Sequence, residues 1–131
     1  TLFPEGTTWL GNEMLPFRAS LFAAIIPQPE RLRVQPVLLD YGAAGEDIGW
    51  VGEEGGINNA RRVLARRHSF PLRITYLEPF DPRDFPGRKA IAAESRRRIE
   101  EALVAALGGP LRPFAWTVGP VNYAGPPPAS D

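Results

Sequence analysis

A chain of 131 residues, 44% of them apolar, is the size of one ordinary domain and holds enough hydrophobic material for its own core. Fifteen basic side chains balance fifteen acidic ones, which excludes the strong positive field of a dedicated nucleic-acid binder. The absence of cysteine excludes a disulfide scaffold, a thiolate metal site and a cysteine nucleophile, and leaves stability to packing.

The chain begins at Thr1 and enters a dense block at once, Phe3-Pro4-Glu5-Gly6-Thr7-Thr8, which is the look of a piece cut from something longer. Residues 16–26 then carry Phe17, Leu21, Ala24 and Ile25 at three- and four-residue spacing between Pro16 and Pro27, and this predicts an amphipathic helix. Its apolar run, Leu21 to Ile26, is far short of the roughly 20 residues that span a bilayer. Residues 32–41 alternate and then turn almost wholly apolar, as a strand entering a buried sheet does, with Pro36 marking an edge or an irregular end. Residues 42–56 are glycine-rich and acidic around Trp50 and Val51, and read as a long loop anchored by an aromatic.

Ile57, Ala60, Val63 and Leu64 share a helical face that Arg61, Arg62, Arg66 and Arg67 mostly avoid, so a short basic-faced helix follows. Residues 72–77 alternate and include β-branched side chains, the pattern of a second strand. A proline- and aspartate-rich turn, 79–86, leads to the longest helix, 88–107, where Ile91, Ser95, Ile99, Leu103 and Leu107 recur every four residues and Gly108 supplies the stop. Residues 109–131 are rich in proline, glycine and small residues, and are expected to form a mobile tail pinned in part by Phe114, Trp116 and Tyr123. Helix, strand, helix, strand, helix is the order of an α/β fold, a sheet covered by helices.

The opening block is where chemistry concentrates. Gly6 permits close backbone approach, Thr7 and Thr8 offer hydroxyls and amides, and with a nearby helix N-terminus they suit a phosphate or polar headgroup. Glu5 is placed to accept a hydrogen bond from a substrate hydroxyl. Taken alone, Glu5-Gly6-Thr7 also reads as a strand end and a glycine turn with a solvated carboxylate. Arg61, Arg62, Arg66, Arg67 and Arg96 to Arg98 either face an anionic bilayer or form a solvated surface neutralised by Glu53, Glu54, Glu94, Glu100 and Glu101. Glu46, Asp47, Glu53 and Glu54 lack calcium-loop spacing, and no metal is expected. His68, the only histidine, is read as a solvated helix-end residue, and Trp50 and Tyr76 as packing residues.

Phe3 to Thr8, the Leu15-Pro16-Phe17-Arg18 segment after it, Val34-Gln35-Pro36-Val37, Trp50-Val51-Gly52, Leu77-Glu78-Pro79-Phe80 and Gly87-Arg88-Lys89 together resemble the glycerolipid acyltransferase family over residues 1–108. The resemblance implies the C-terminal part of that fold and of a 1-acylglycerol-3-phosphate-type O-acyltransferase. The substrates implied are a lysophospholipid such as lysophosphatidic acid and an acyl thioester, from acyl-CoA or acyl-carrier protein, with no cofactor besides. Glu5, Gly6 and Thr7 would contact the acyl acceptor and Arg18 its phosphate. Thr8 stands where many members have arginine, so that contact does not carry over. The family's histidine-x4-aspartate signature lies N-terminal to this block, so the base is expected in a missing N-terminal part of the same protein, at the cytoplasmic face of a membrane with an anionic surface. His68 fails that motif, because Arg73 stands five positions on. The rival expectation is a non-catalytic lipid- or anion-binding module without the base.

Overall fold

The structure, a computed structural model, describes residues 1–6, 11–50 and 54–113. It is a mixed α/β fold, with a 3-10 helix Ala19–Ile25, strand β1 Val37–Asp40, helices α1 Ala44–Ile48 and α2 Gly56–Leu64, strand β2 Arg73–Tyr76, a 3-10 turn Pro82–Asp84 and helix α3 Arg88–Leu107. Thr7, Thr8, Val51, Gly52, Glu53 and residues 114–131, with Phe114, Trp116 and Tyr123, lie outside the described residues.

Helix α3 forms where the four-residue repeat puts it. Its sequence is dominated by Ala, Arg, Glu and Leu, all strong helix formers, and Gly108 ends it in the left-handed region (φ 68°), its N–H bonding to Val104 O at 3.0 Å. Ile91, Ala92, Ser95 and Leu103 are buried, whereas Leu107, expected on the same stripe, is exposed because the last turn runs past the body. Ser95 satisfies its buried hydroxyl by donating to Ile91 O at 2.8 Å. On the outer face Glu94 accepts from Arg97 and Arg98, and these guanidinium bonds hold its carboxyl at about 2, well below the usual carboxylate range.

Two apolar clusters lie against this helix. Phe22 and Phe80 join Ile91 and Ala92 in one, with Phe17, Ala19, Ile25, Val34 and Phe85 packed around them. Met14 and Leu38 join Leu103 in the other, flanked by Phe17, Ile99, Ala102 and Leu111. Arg98 adds its guanidinium over the Phe80 ring at 4.8 Å.

The strands pair antiparallel with Val37 opposite Tyr76 and Leu39 opposite Ile74. They are shorter than their sequence patterns. Pro36 has no N–H to give, so the ladder breaks there and resumes only as a bridge between Val34 and Phe80, while Leu77 N–H donates to Pro36 O at 3.0 Å. One sheet face sends Leu38 into the core. The other bears Leu39, Ile74 and Tyr76, all exposed. Tyr76 is 68% accessible, which corrects its expected packing role.

The helix expected over 16–26 is instead a 3-10 helix that begins at Ala19, with Arg18 extended before it. Its three-residue turn puts Ala19, Phe22 and Ile25 on the core side and leaves Leu21 and Ala24 exposed, in place of the face drawn by α-helical spacing. The long loop 42–56 contains α1, which sequence pattern misses because Ala44–Ile48 is little more than one turn. Trp50 is half exposed and anchors locally, its indole N–H donating to Glu54 O at 2.6 Å and its ring lying against Gly56.

Helix α2 forms as expected, but Ile57 and Leu64 point away from the body, 78% and 84% accessible. Truncating the two isoleucines should therefore have unequal consequences. Ile91→Ala empties a fully buried site and should lower unfolding stability by about 2–5 kcal/mol. Ile57→Ala should stay within about 0.5 kcal/mol in the same urea titration of this chain.

Candidate functional site

The opening block folds back on itself. Gly6 N–H donates to Phe3 O at 3.1 Å, closing a tight turn, and Arg18 N–H donates to Pro4 O at 2.8 Å, bringing residue 18 alongside. Gly6 is favoured there by its backbone conformation. Its φ is 71°, a region L side chains rarely adopt, and a Cβ would sit 3.0 Å from Arg18 Nε. Arg18 thus lies over the glycine with its guanidinium on the exposed side of the turn.

Glu5 reaches the Met14–Leu15 peptide. Its Oε1 accepts from Leu15 N–H at 3.1 Å, while Leu15 O accepts from Arg96 Nη1 on α3 at 2.8 Å. The two peptide groups that flank Leu15 are therefore held, one by a carboxylate ten residues upstream and the other by a guanidinium 81 residues downstream. Met14 and Leu15 are buried next to this grip, which fixes the whole segment against α3. Burial pushes the Glu5 carboxyl above the usual carboxylate range; the Leu15 N–H and the Arg96 charge counter part of that shift. Among the described residues the one hydrogen bond of this partly desolvated carboxylate is that to Oε1.

Arg96 also borders an open trough of about 290 Å³ with Pro16, Phe17, Ala92 and Ala93 as its apolar floor and Lys89 as a second cation. An apolar floor under two cations suits an amphiphile with an anionic or polar head. Sequence reasoning placed Arg96 only on a bilayer-facing or solvated surface and missed its contact with Leu15. A signal existed: it lies four residues from Ala92 and three from Ile99, a cation set into the inward stripe of an otherwise apolar helix face.

Of the residues singled out by sequence, the structure brings together Glu5, Gly6 and Arg18, while Thr7 lies outside the described residues. Val34, Gln35 and Pro36 bond to the segment at Leu77 and Phe80, so these two blocks of the resemblance lie side by side. His68 is exposed beyond the end of α2. The described acidic residues of the long loop are engaged with nitrogen donors: Glu46 with Asn12, Asp47 with Arg66, and Glu54 with Arg62 and Asn59. Among the described residues no group of three or more His, Cys, Asp or Glu converges.

Much of the basic surface is likewise committed. Arg62, Arg66, Arg96, Arg97 and Arg98 all pair with carboxylates. Arg61 and Arg67 have no ion-pair partner among the described residues.

Two curated proteins are similar to the chain. A lyso-ornithine lipid O-acyltransferase of Rhodobacter capsulatus is 32% identical over 107 residues, which are 77% of this chain and 39% of that protein. A lyso-ornithine lipid O-acyltransferase of Rhizobium meliloti is 31% identical over 128 residues, 87% of this chain and 44% of that protein. The chain thus spans about two fifths of the length of these relatives. No protein-family model matches it, and no solved structure does.

The clamp makes a prediction about charge. Glu5→Gln keeps an oxygen for the Leu15 N–H, so the fold should be retained, whereas Glu5→Ala orphans that donor and should cost about 1–3 kcal/mol. A carboxyl whose folded pKa is raised carries no penalty below its unfolded value of about 4.3 and the full penalty above the folded one. The melting temperature of Glu5→Gln should therefore gain on the parent as pH rises from 4 to 7, as differential scanning calorimetry would record.

Proposed function

We propose that this chain carries the acyl-acceptor-binding part of a lysolipid O-acyltransferase of lipid biosynthesis. The observation that carries the reading is the likeness to two lyso-ornithine lipid O-acyltransferases over most of the chain. Glu5, Gly6, Thr7 and Arg18 are the proposed acceptor contacts, Glu5 through Oε2 to a hydroxyl and Arg18 to a charged headgroup. The acyl donor is a thioester, acyl-CoA or acyl-carrier protein. An oriented base in the remaining part of the protein deprotonates the acceptor hydroxyl; the resulting oxyanion attacks the thioester carbonyl, and thiolate leaves to take up the proton.

Lyso-ornithine lipid is the preferred acceptor over lysophosphatidic acid. Both relatives are named for it, and Thr8 stands where the resemblance would put an arginine against phosphate. The apolar sheet face at Leu39, Ile74 and Tyr76 offers a docking surface for that remaining part. The work would be done at the cytoplasmic face of a membrane; among the described residues no helix is long and apolar enough to cross one. A second reading, a lipid-binding module without catalysis, is favoured by the single histidine, His68, which lies exposed and away from Glu5 in sequence.

Thiol release from acyl-CoA separates the two readings. This chain alone should match the protein-free blank with either acceptor, and the intact protein should turn over lyso-ornithine lipid faster than lysophosphatidic acid. In the intact protein Glu5→Gln should lower kcat/KM by about tenfold or more, the value of a lost charge-assisted hydrogen bond, with its melting temperature unreduced. An intact protein that binds both acceptors and releases no thiol would establish the module instead.

A further inference from the structure

Helix α2 has one apolar and one polar face, and it is the polar face that is turned to the protein. Arg62 donates from Nε to Glu54 Oε1 at 3.1 Å, from Nη2 to Gly49 O at 2.8 Å and from Nη1 to the Asp47 carbonyl. Asn59 donates to Gly49 O at 3.3 Å and to Glu54 Oε2 at 3.2 Å. Just past the helix, Arg66 pairs with Asp47 at 3.1 Å and lies over the Phe70 ring. These bonds fix the rotation of the helix about its axis.

The opposite arc is thereby forced outward. Ile57, Ala60 and Leu64 are spaced i, i+3, i+7, one line along a helix, and all three are exposed. Two large aliphatic side chains at that exposure forgo burial, which a covering surface would supply. Arg61 lies at the edge of this stripe and Arg67 just beyond its end; both are exposed and neither has an ion-pair partner among the described residues.

We propose that α2 docks on an anionic lipid surface, with Ile57 and Leu64 entering the acyl boundary and Arg61 and Arg67 meeting the headgroup charge. The rim decides between lipid and protein cover. Two exposed arginines without carboxylate partners among the described residues complement an anionic surface, and a helix in a membrane interface combines an apolar face with basic residues whose stems extend up to the headgroups. Arg96, Arg97 and Arg98 of α3, by contrast, are each paired with a carboxylate of the same helix, Glu94, Glu100 or Glu101. The inference deepens the membrane side of the proposed function but rests on the orientation of α2, so a protein that docks this way and transfers no acyl group leaves it standing.

The chain has no cysteine, so Leu64→Cys, made in the intact protein on a background free of other cysteines, accepts a nitrobenzoxadiazole probe at one place. Vesicles of phosphatidylcholine with 30 mol % phosphatidylglycerol, an arbitrary but roughly physiological anionic content, should shift its emission to the blue and brighten it severalfold, while a probe at Glu101→Cys should not respond. Arg61→Glu with Arg67→Glu should weaken vesicle binding about tenfold or more, and raising the salt should weaken the parent in the same sense. A probe at 64 that is already blue-shifted without vesicles would mean that protein covers the stripe and would overturn the proposal. So would a silent probe on vesicle-bound protein, no vesicle binding by the intact protein, or a double arginine variant that binds as the parent does.

Discussion

Both apolar clusters are built against one face of α3, Ile91 and Ala92 in the first and Leu103 in the second, and that helix determines where everything else can lie. The clusters are about twelve residues apart along α3, a distance of roughly 18 Å, and Phe17 touches both. The opening segment, the 3-10 helix and β1 are each held through one or the other. The antiparallel pair of strands is too small to be stable by itself, and it exists here because Leu38 is sealed beneath α3.

The candidate site inherits that dependence. Glu5 and Gly6 lie on a turn with little hydrophobic anchorage of its own, since Phe3 is exposed. The turn is held by bonds to the chain around Leu15 and Arg18, and the Leu15 peptide is held in turn by Arg96. The carboxylate proposed to meet the acceptor is thus also a structural acceptor, kept partly desolvated with its pKa raised by burial. A protein that fixes a carboxylate in this state forgoes some stability near neutral pH and keeps a positioned, poorly solvated group.

Helix α2 is held by a different kind of force. Its packing is against α1, and its grip comes from Arg62, Asn59 and Arg66 acting on Glu54, Asp47 and backbone carbonyls. Exposed ion pairs contribute little each, so this corner belongs to the low-stability end of the molecule, apart from the core on α3. The same polar grip holds the aliphatic stripe outward, a cost that only a covering surface can return.

Periodicity and punctuation made much of this legible in advance. The four-residue repeat and Gly108 defined α3, the alternation at 72–77 found β2, and Pro36 announced the interrupted ladder. The likeness of the opening block to a known pattern singled out Glu5, Gly6 and Arg18 together, and the structure lays Arg18 alongside the turn that carries the other two. What only the tertiary structure decided has a common cause. Spacing can say that a helix has two faces, but the neighbour decides which face is claimed, and for α2 carboxylates and carbonyls claimed the polar one. The 3-10 winding of Ala19–Ile25 was selected because three-residue spacing sends Ala19, Phe22 and Ile25 together into the first cluster. The role of Arg96 required a peptide 81 residues away to come within 2.8 Å, and contacts of that span are set by the packing of whole elements, which no local pattern of residue types encodes.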